Sequence, residues 1–535
     1  MVDDAYIWQS NGDGTSVLSI HTVARINTTY YPSLASAVAA AQEGDTVVMI
    51  DNSNETATAV VTNAITIDLN GKTVTRAGLA LNVQADLTVT DNSANGGGSA
   101  PAPARYLRNA EDSETSATQG SIQATGGSGV VAQVTNGATL TLDNVTVHAG
   151  SRVVNLINGH LITQNDVTMT SDFMILMSST TSTNTITING GTYTGATVGF
   201  VVYAGSLTIN DGEIVSNNDT AVIFDDGLGF GCDTFTLNDG TLTSAGSYAV
   251  YLKAGVKGII NDGTINGTAG IVIMNSDYST TLEFNDGTIN STGFGITNNG
   301  QTTANDATTI TINGGKINAE NVGIYHPGVG NLTITGGEIV GSTGVVLRNG
   351  KLSMTGGTIH GTAADKEYDY YDGGSTNTGE GLLIERSNYG DHFGETFNGE
   401  EYKGTQVDIT YGIFISDHAD AVHSYIKGDD TTQEAEEGVE RVLNFLNDGW
   451  YSNIIPQEHV VEGKYRDENP RSMSPDPRAR WTLKSPEPTG ISEVLADGKT
   501  VEGYYTIDGV RHDRPVKGIN IVRFTDNTSK KVILR

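Results

Sequence analysis

From Asn184 onward one short unit returns eight times: NTITINGGTYTG, SLTINDGEIVS, TFTLNDGTLTS, GIINDGTING, TLEFNDGTINS, TITINGGKINA, NLTITGGEIVG and KLSMTGGTIHG. The glycine that precedes Thr, Glu or Lys marks each copy, at Gly191, Gly212, Gly240, Gly263, Gly287, Gly315, Gly337 and Gly357. Successive marks lie 20 to 28 residues apart, and weaker copies place Gly120, Val145 and Val167 at the same position upstream. Self-similarity at a period in the low twenties, built from strand-like units, is the signature of a solenoid.

Within each unit the apolar residues alternate. Ile186 and Ile188 point one way and Thr187 the other. After the mark, Tyr193, Ile214, Leu242, Ile265, Ile289, Ile317, Ile339 and Ile359 resume the apolar side. No unit carries a long helical period. One unit cannot bury its apolar face alone, whereas stacked coils bury a continuous column. Leucine-rich repeats run at a similar length, but their leucine framework is missing. Short strands joined by glycine corners therefore predict a parallel β-helix.

Two columns follow from this register. Asn189, Asn210, Asn238, Asn261, Asn285 and Asn313 sit two residues before the mark on consecutive coils. With coils about 4.8 Å apart, their amides are expected to bond along the axis as a ladder. The next position holds Gly190, Asp211, Asp239, Asp262, Asp286, Gly314, Gly336 and Gly356, which suits a left-handed corner residue. Asp211, Asp239, Asp262 and Asp286 are read as solvated corner carboxylates. A cation ladder on them, with Ca²⁺ as the natural ion, is the alternative.

The NGGT and TGGxI corners make residues 60–460 resemble bacterial right-handed parallel β-helix surface proteins, with a fold like that of pectate lyases. The order YxSLxxAVxxAxxGDTVxxI followed by ITIDLNGKT resembles the opening of such proteins, in which a helix covers the open end of the stack. Here that helix is expected over Ser33–Gln42, with Ser33 as N-cap and Gly44 just past its end. The expected fold class is thus all-β: a right-handed parallel β-helix solenoid with an N-terminal capping helix and a small C-terminal β-sandwich. The expected domains are 1–59 for the N-terminal strands and helix, 60–484 for the β-helix, and 485–535 for the C-terminal domain, with insertions near 91–119 and 363–405.

The tail after the Pro-rich hinge SPEPTG differs from the body. Residues 486–535 hold 7 acidic and 8 basic residues, whereas 365–447 hold 19 acidic and 5 basic. TGISEV, YYTIDGVR, PVKGINIVR and a terminal KKVILR resemble the C-terminal sorting domains of Bacteroidetes secreted proteins. That resemblance implies recognition by the type IX secretion machinery and a secreted, cell-surface or outer-membrane-associated location. Upstream, TTQEAEEGVERVLNFL is expected to be a helix packed on the solenoid, and GWYSNIIPQEHVVEGK resembles a closing coil.

Composition narrows the partners. A net charge of −32 argues against nucleic acid and anionic membrane. Cys232 is the only cysteine, which excludes an intrachain disulfide and a cysteine-rich zinc site. No apolar run is long enough to span a bilayer. The start at Met1-Val2-Asp3-Asp4 carries no leader-like run, as expected of an exported protein whose leader has been removed or replaced.

Catalysis on such a fold requires converging carboxylates, or calcium with a basic residue, on an outward groove. The candidates are Asp225 and Asp226 in VIFDDGLGFG, and Glu385, Arg386, Asp391 and His392 in ERSNYGDH. The companion signatures of β-helix galacturonases are missing: there is Asn158-Gly159-His160 in place of GHG, and no RIK. The loop KEYDYYDGG is better suited to binding, with Tyr368, Tyr370 and Tyr371 to stack on sugar rings and Asp369 and Asp372 to accept hydroxyl hydrogen bonds. The reading is an adhesive or glycan-binding surface rod with no catalysis expected and an extracellular glycan or surface protein as partner. A polysaccharide lyase or glycoside hydrolase, and a structural surface-layer or filament subunit, are the two alternatives.

Overall fold

The structure is a computed structural model. It describes residues 6–10, 12–93, 119–225, 232–253, 255–274, 279–298, 308–364, 377–386, 396–397, 400–401, 406–419 and 421–426. Towards the C-terminus it describes 450–452, 460–461, 464–465, 480–483, 501–506, 509–512, 518–525 and 528–534. The body is an all-β parallel solenoid of about 12 turns. Each turn contributes one short strand to each of three stacked faces. The first face runs from Thr46–Met49 to Gln406–Ile409, the second from Ser53–Glu55 to Ile413–Ser416, and the third from Ala59–Val61 to Val422–Ile426.

Register between coils is residue for residue over most of the stack. Ile186 lies between Leu161 and Leu207, and Thr187 between Ile162 and Thr208. Equivalent apolar residues therefore form inward columns, and the residues expected inside after each mark, from Tyr193 to Ile359, are 0–1% exposed. The asparagine ladder is present: Asn210 Nδ2 donates to Asn189 Oδ1 at 2.6 Å, and the same bond repeats through Asn238, Asn261, Asn285 and Asn313 at 2.7–2.9 Å.

The corner assignment needs correction on the coils that carry aspartate. There the left-handed residue is the marking glycine itself, with φ +104° at both Gly240 and Gly263, and Asp211, Asp239, Asp262 and Asp286 are not among the residues with positive φ, whereas Gly190 at φ +139° and Asn144 at φ +52° do take a positive φ at the position before the mark. Each of these aspartates instead accepts, through Oδ1, the N–H of the glycine that follows it, at 2.6–2.8 Å. The glycine is required twice over. Its φ disfavours a side chain, and a Cβ on Gly263 would lie 2.7 Å from the Gly240 carbonyl oxygen.

The third face differs from the other two. Strands Val198–Val202, Ala269–Ile273, Val322–His326 and Thr343–Leu347 are buried at every position. Strands of a parallel sheet covered on both sides read as unbroken apolar runs, and VGFVV and AGIVI do so. Outward side chains gather into two clusters there, Met174, Val198 and Val201 in one and Val322, Tyr325, Val346 and Leu383 in the other.

The expected N-terminal helix spans Leu34–Ala40, with Ser33 as its N-cap. Leu34, Ala37 and Val38 join the solenoid core. Glu55 of the first coil accepts the Leu34 N–H at 2.6 Å and the Ala35 N–H at 3.2 Å, a carboxylate placed where free helix donors and the dipole favour it. At the other end, Trp450–Ser452 is not a further parallel rung. It pairs antiparallel with Arg480–Leu483, which pairs antiparallel with Ile413–Ser416, so the parallel stack ends by a change of strand direction. In the C-terminal region, Val501–Thr506, Arg511–His512, Gly518–Phe524 and Ser529–Leu534 form a four-stranded antiparallel sheet. The described residues there form this one sheet. The expected helix in TTQEAEEGVERVLNFL and most of the 91–119 insertion lie outside the described residues.

Inside the stack, His326 is fully buried and its Nε2–H donates to the Gly330 carbonyl at 3.2 Å. Burial lowers its pKa to about 4. As pH falls through 6.5 the unfolded chain takes a proton that the folded chain refuses until about pH 4. Stability is therefore lost across that window, by about 3 kcal/mol at its acid end. Thermal melts between pH 7 and pH 4 check this: His326→Asn is expected to lose less stability than the parent over the same range. A second expectation concerns the corner. Gly263→Ala is expected to lower stability by roughly 2–4 kcal/mol, while Asp262→Ala costs under about 1 kcal/mol. The two melting temperatures test which residue carries the turn.

Candidate functional site

Between the two covered clusters, the third face carries polar and aromatic side chains outward. Val222–Phe224 and Tyr248–Leu252 are consecutive strands of this face, with Val222 opposite Val250, Ile223 opposite Tyr251 and Phe224 opposite Leu252. Val222, Phe224, Val250 and Leu252 point inward and are fully buried. Alternation then sends Ile223 and Tyr251 outward, followed by Asp225 and Lys253. Asp225 Oδ1 and Lys253 Nζ meet at 3.1 Å, with each side chain a little over a quarter exposed.

Two tyrosines complete the group. The Tyr248 and Tyr251 rings are nearly parallel, at 14°, with centroids 6.5 Å apart. Tyr248 is 39% exposed, one of the few large apolar side chains open to solvent along the solenoid. The Tyr251 hydroxyl is pushed above the ordinary tyrosine value, first by burial and then by the negative charge of Asp225. The group therefore offers flat apolar surface beside a hydrogen-bond acceptor and a donor, a combination suited to a ligand with one apolar and one hydroxylated face.

The sequence candidates divide. Asp225 sits in this group, against a cation, while Asp226 lies outside the described residues. Tyr368, Asp369, Tyr370, Tyr371, Asp372, Asp391 and His392 also lie outside them. Glu385 and Arg386 end the third-face strand Leu382–Arg386. Asp211, Asp239, Asp262 and Asp286 run along the first corner, each engaged by a glycine N–H, and no group of three or more His, Cys, Asp or Glu able to hold a metal ion occurs among the described residues. Tyr248, Tyr251 and Lys253 were not singled out from the sequence. Their signal is YAVYLK read in the register of the third strand, with Tyr251 and Lys253 alternating against Val250 and Leu252.

Comparison with known proteins finds no matching family model, no matching curated protein and no matching solved structure. No described helix is long and apolar enough to cross a membrane.

The electrostatic link between Asp225 and Tyr251 can be read directly. Asp225→Asn is expected to bring the Tyr251 ionisation down towards the ordinary tyrosine value without reaching it, because burial is the larger cause. Ultraviolet titration of the tyrosinate band, with Tyr251→Phe to assign it, checks this.

Proposed function

We propose that this chain is a secreted, cell-surface solenoid that binds glycan through the aromatic group on its third face, as an adhesive rod. The observation that carries the reading is the parallel Tyr248–Tyr251 pair beside the Asp225–Lys253 ion pair, with Tyr248 open to solvent between the two apolar clusters of the third face. Aromatic rings pack on the apolar faces of sugars, and a charged pair at the rim hydrogen-bonds their hydroxyls. Asp225 placed against Lys253 is suited to orienting a ligand, since its carboxylate is an acceptor already directed by a cation.

The finer assignment belongs to the same reading. The corner motifs support a right-handed β-helix like those of bacterial surface proteins. The terminal TGISEV to KKVILR pattern and the antiparallel sheet at 501–534 support a sorting domain read by the type IX secretion machinery of Bacteroidetes. A glycan, or a glycosylated surface protein, is the partner this chemistry fits.

Retention of the purified protein in gels cast with plant, algal and host polysaccharides tests the proposal, with and without calcium. Tyr248→Ala and Tyr251→Ala are each expected to weaken retention roughly tenfold with the fold unchanged by circular dichroism. Retention that ignores both substitutions would sink the reading. New reducing ends that disappear in Asp225→Asn would replace it with an enzyme.

A further inference from the structure

A concavity lies around the corner from the tyrosine pair, where the second face turns into the third. It has a volume of about 510 Å³ and is lined by equivalent residues of consecutive coils. Thr243, Asn266, Asn290, Asn318 and Val340 are in register on the outward side of the second face. Asn318 Nδ2 donates to Asn290 Oδ1 and Asn290 Nδ2 to Asn266 Oδ1, both at 3.0 Å, and Asn266 Nδ2 donates to Thr243 Oγ1 at 3.3 Å. This is a second amide ladder. Because lining residues recur once per coil, the groove runs parallel to the solenoid axis.

The next position also lines the groove and is small on each of these coils, Gly267, Ser291 and Ala319. The Ser244 and Ser216 hydroxyls, at the same inward position on earlier coils, donate to backbone carbonyls at 2.6 Å. Ser291 departs from them: it is 7% exposed and its Oγ has no partner among the described residues. A ladder asparagine uses one N–H and one lone pair along the axis, leaving a second N–H and a second lone pair for a ligand. Three such amides at about 4.8 Å intervals present a repeating donor–acceptor row. Among the described residues Glu320 is the only charged residue of the lining, and no described cation lines the groove beside it.

We propose that this groove is a glycan subsite that takes an uncharged, linear, hydroxyl-rich polysaccharide laid along the solenoid axis. The proposal rests on the glycan-binding reading above and adds the polymer's charge class and direction. A polyuronate would bring carboxylates to Glu320 and to a chain of net charge −32, with no cation among the described lining residues to neutralise them. A neutral polymer meets no such repulsion. At one end of the groove Ser244 ends the second-face strand Thr241–Ser244 and Ala245 opens the turn into Tyr248, so that end of the groove and the ring belong to one coil.

Calorimetry of the full chain with cello- and manno-oligosaccharides of increasing length, and with oligogalacturonates of matched lengths, tests this. Affinity for a neutral series is expected to rise with length and then level once the ligand spans Asn266 to Asn318, with the uronates weaker throughout. Asn290→Ala with Asn318→Ala is expected to cost the longer neutral ligands about tenfold in affinity. Thr292→Trp, which fills the groove from an exposed position and leaves the ladder intact, is expected to do the same and guards against misfolding of the double variant. Binding that ignores both groove variants but falls in Tyr248→Ala overturns the groove and leaves the third-face reading standing. Preference for the uronates, or no binding by either neutral series, overturns the groove proposal outright.

Discussion

The solenoid depends on one repeated contact at the corner between its first two faces. The carbonyl of each marking glycine points along the axis and accepts the N–H of the residue that follows the next coil's mark. Thr264 donates to Gly240, Thr288 to Gly263 and Lys316 to Gly287, each at 2.8 Å. That same carbonyl stands where a Cβ of the next coil's mark would fall, 2.5–2.7 Å away at Gly240, Gly263, Gly287 and Gly315. At the glycine marks the hydrogen bond that sets the coil spacing and the exclusion of a side chain are therefore one geometric fact; Val145 and Val167 accept the same bond from Thr168 and Thr192, with positive φ moved upstream to Asn144 and Asn165. Once the corner is fixed, the strands on either side enter register, and the inward columns and the amide ladder follow without further instruction.

This explains which parts were legible in the sequence. The marks, the inward isoleucines and the ladder from Asn189 to Asn313 are local and repeated, so a single register reveals all of them. The choice between two adjacent corner residues was not legible. Asp211-Gly212 and Asp239-Gly240 each offer two residues that tolerate a left-handed turn, and only stacking against the preceding carbonyl assigns it to the second. The third face escaped because alternation fails there. VGFVV and AGIVI are apolar on both sides, so period two does not separate Tyr251 and Lys253 from Val250 and Leu252 until neighbouring strands are paired. The second ladder escaped for a different reason: Asn266, Asn290 and Asn318 occupy only three coils, where most others carry Thr, Val or His.

The third-face group and the corner aspartates obey opposite electrostatic rules within one acidic molecule. On the third face, Asp225 is matched by Lys253, so its local field is small and contact with a ligand is governed by ring stacking and directional hydrogen bonds. Along the corner aspartates, unit charges about 5 Å apart repel by under about 1 kcal/mol in water, and each is partly offset by a glycine N–H. Acidity there is compatible with the stack but unfavourable to any anionic polymer approaching the rod.

A periodic scaffold of this kind gives each coil nearly the same neighbours, so its stability is close to a sum of equal nearest-neighbour terms. An outward substitution that leaves the corner contact alone disturbs little, which frees outward positions to diverge. Specific chemistry is then expected where the repeat is broken on its outer side and kept on its inner side. The strand Tyr248–Leu252, with Lys253 after it, meets that condition, since its inward Ala249, Val250 and Leu252 are ordinary core residues while its outward residues are not. The coils of Asn266, Asn290 and Asn318 meet it as well, with Ile265, Ile289 and Ile317 inside. The same rule separates these positions from the corner aspartates, which belong to the repeat and serve the turn.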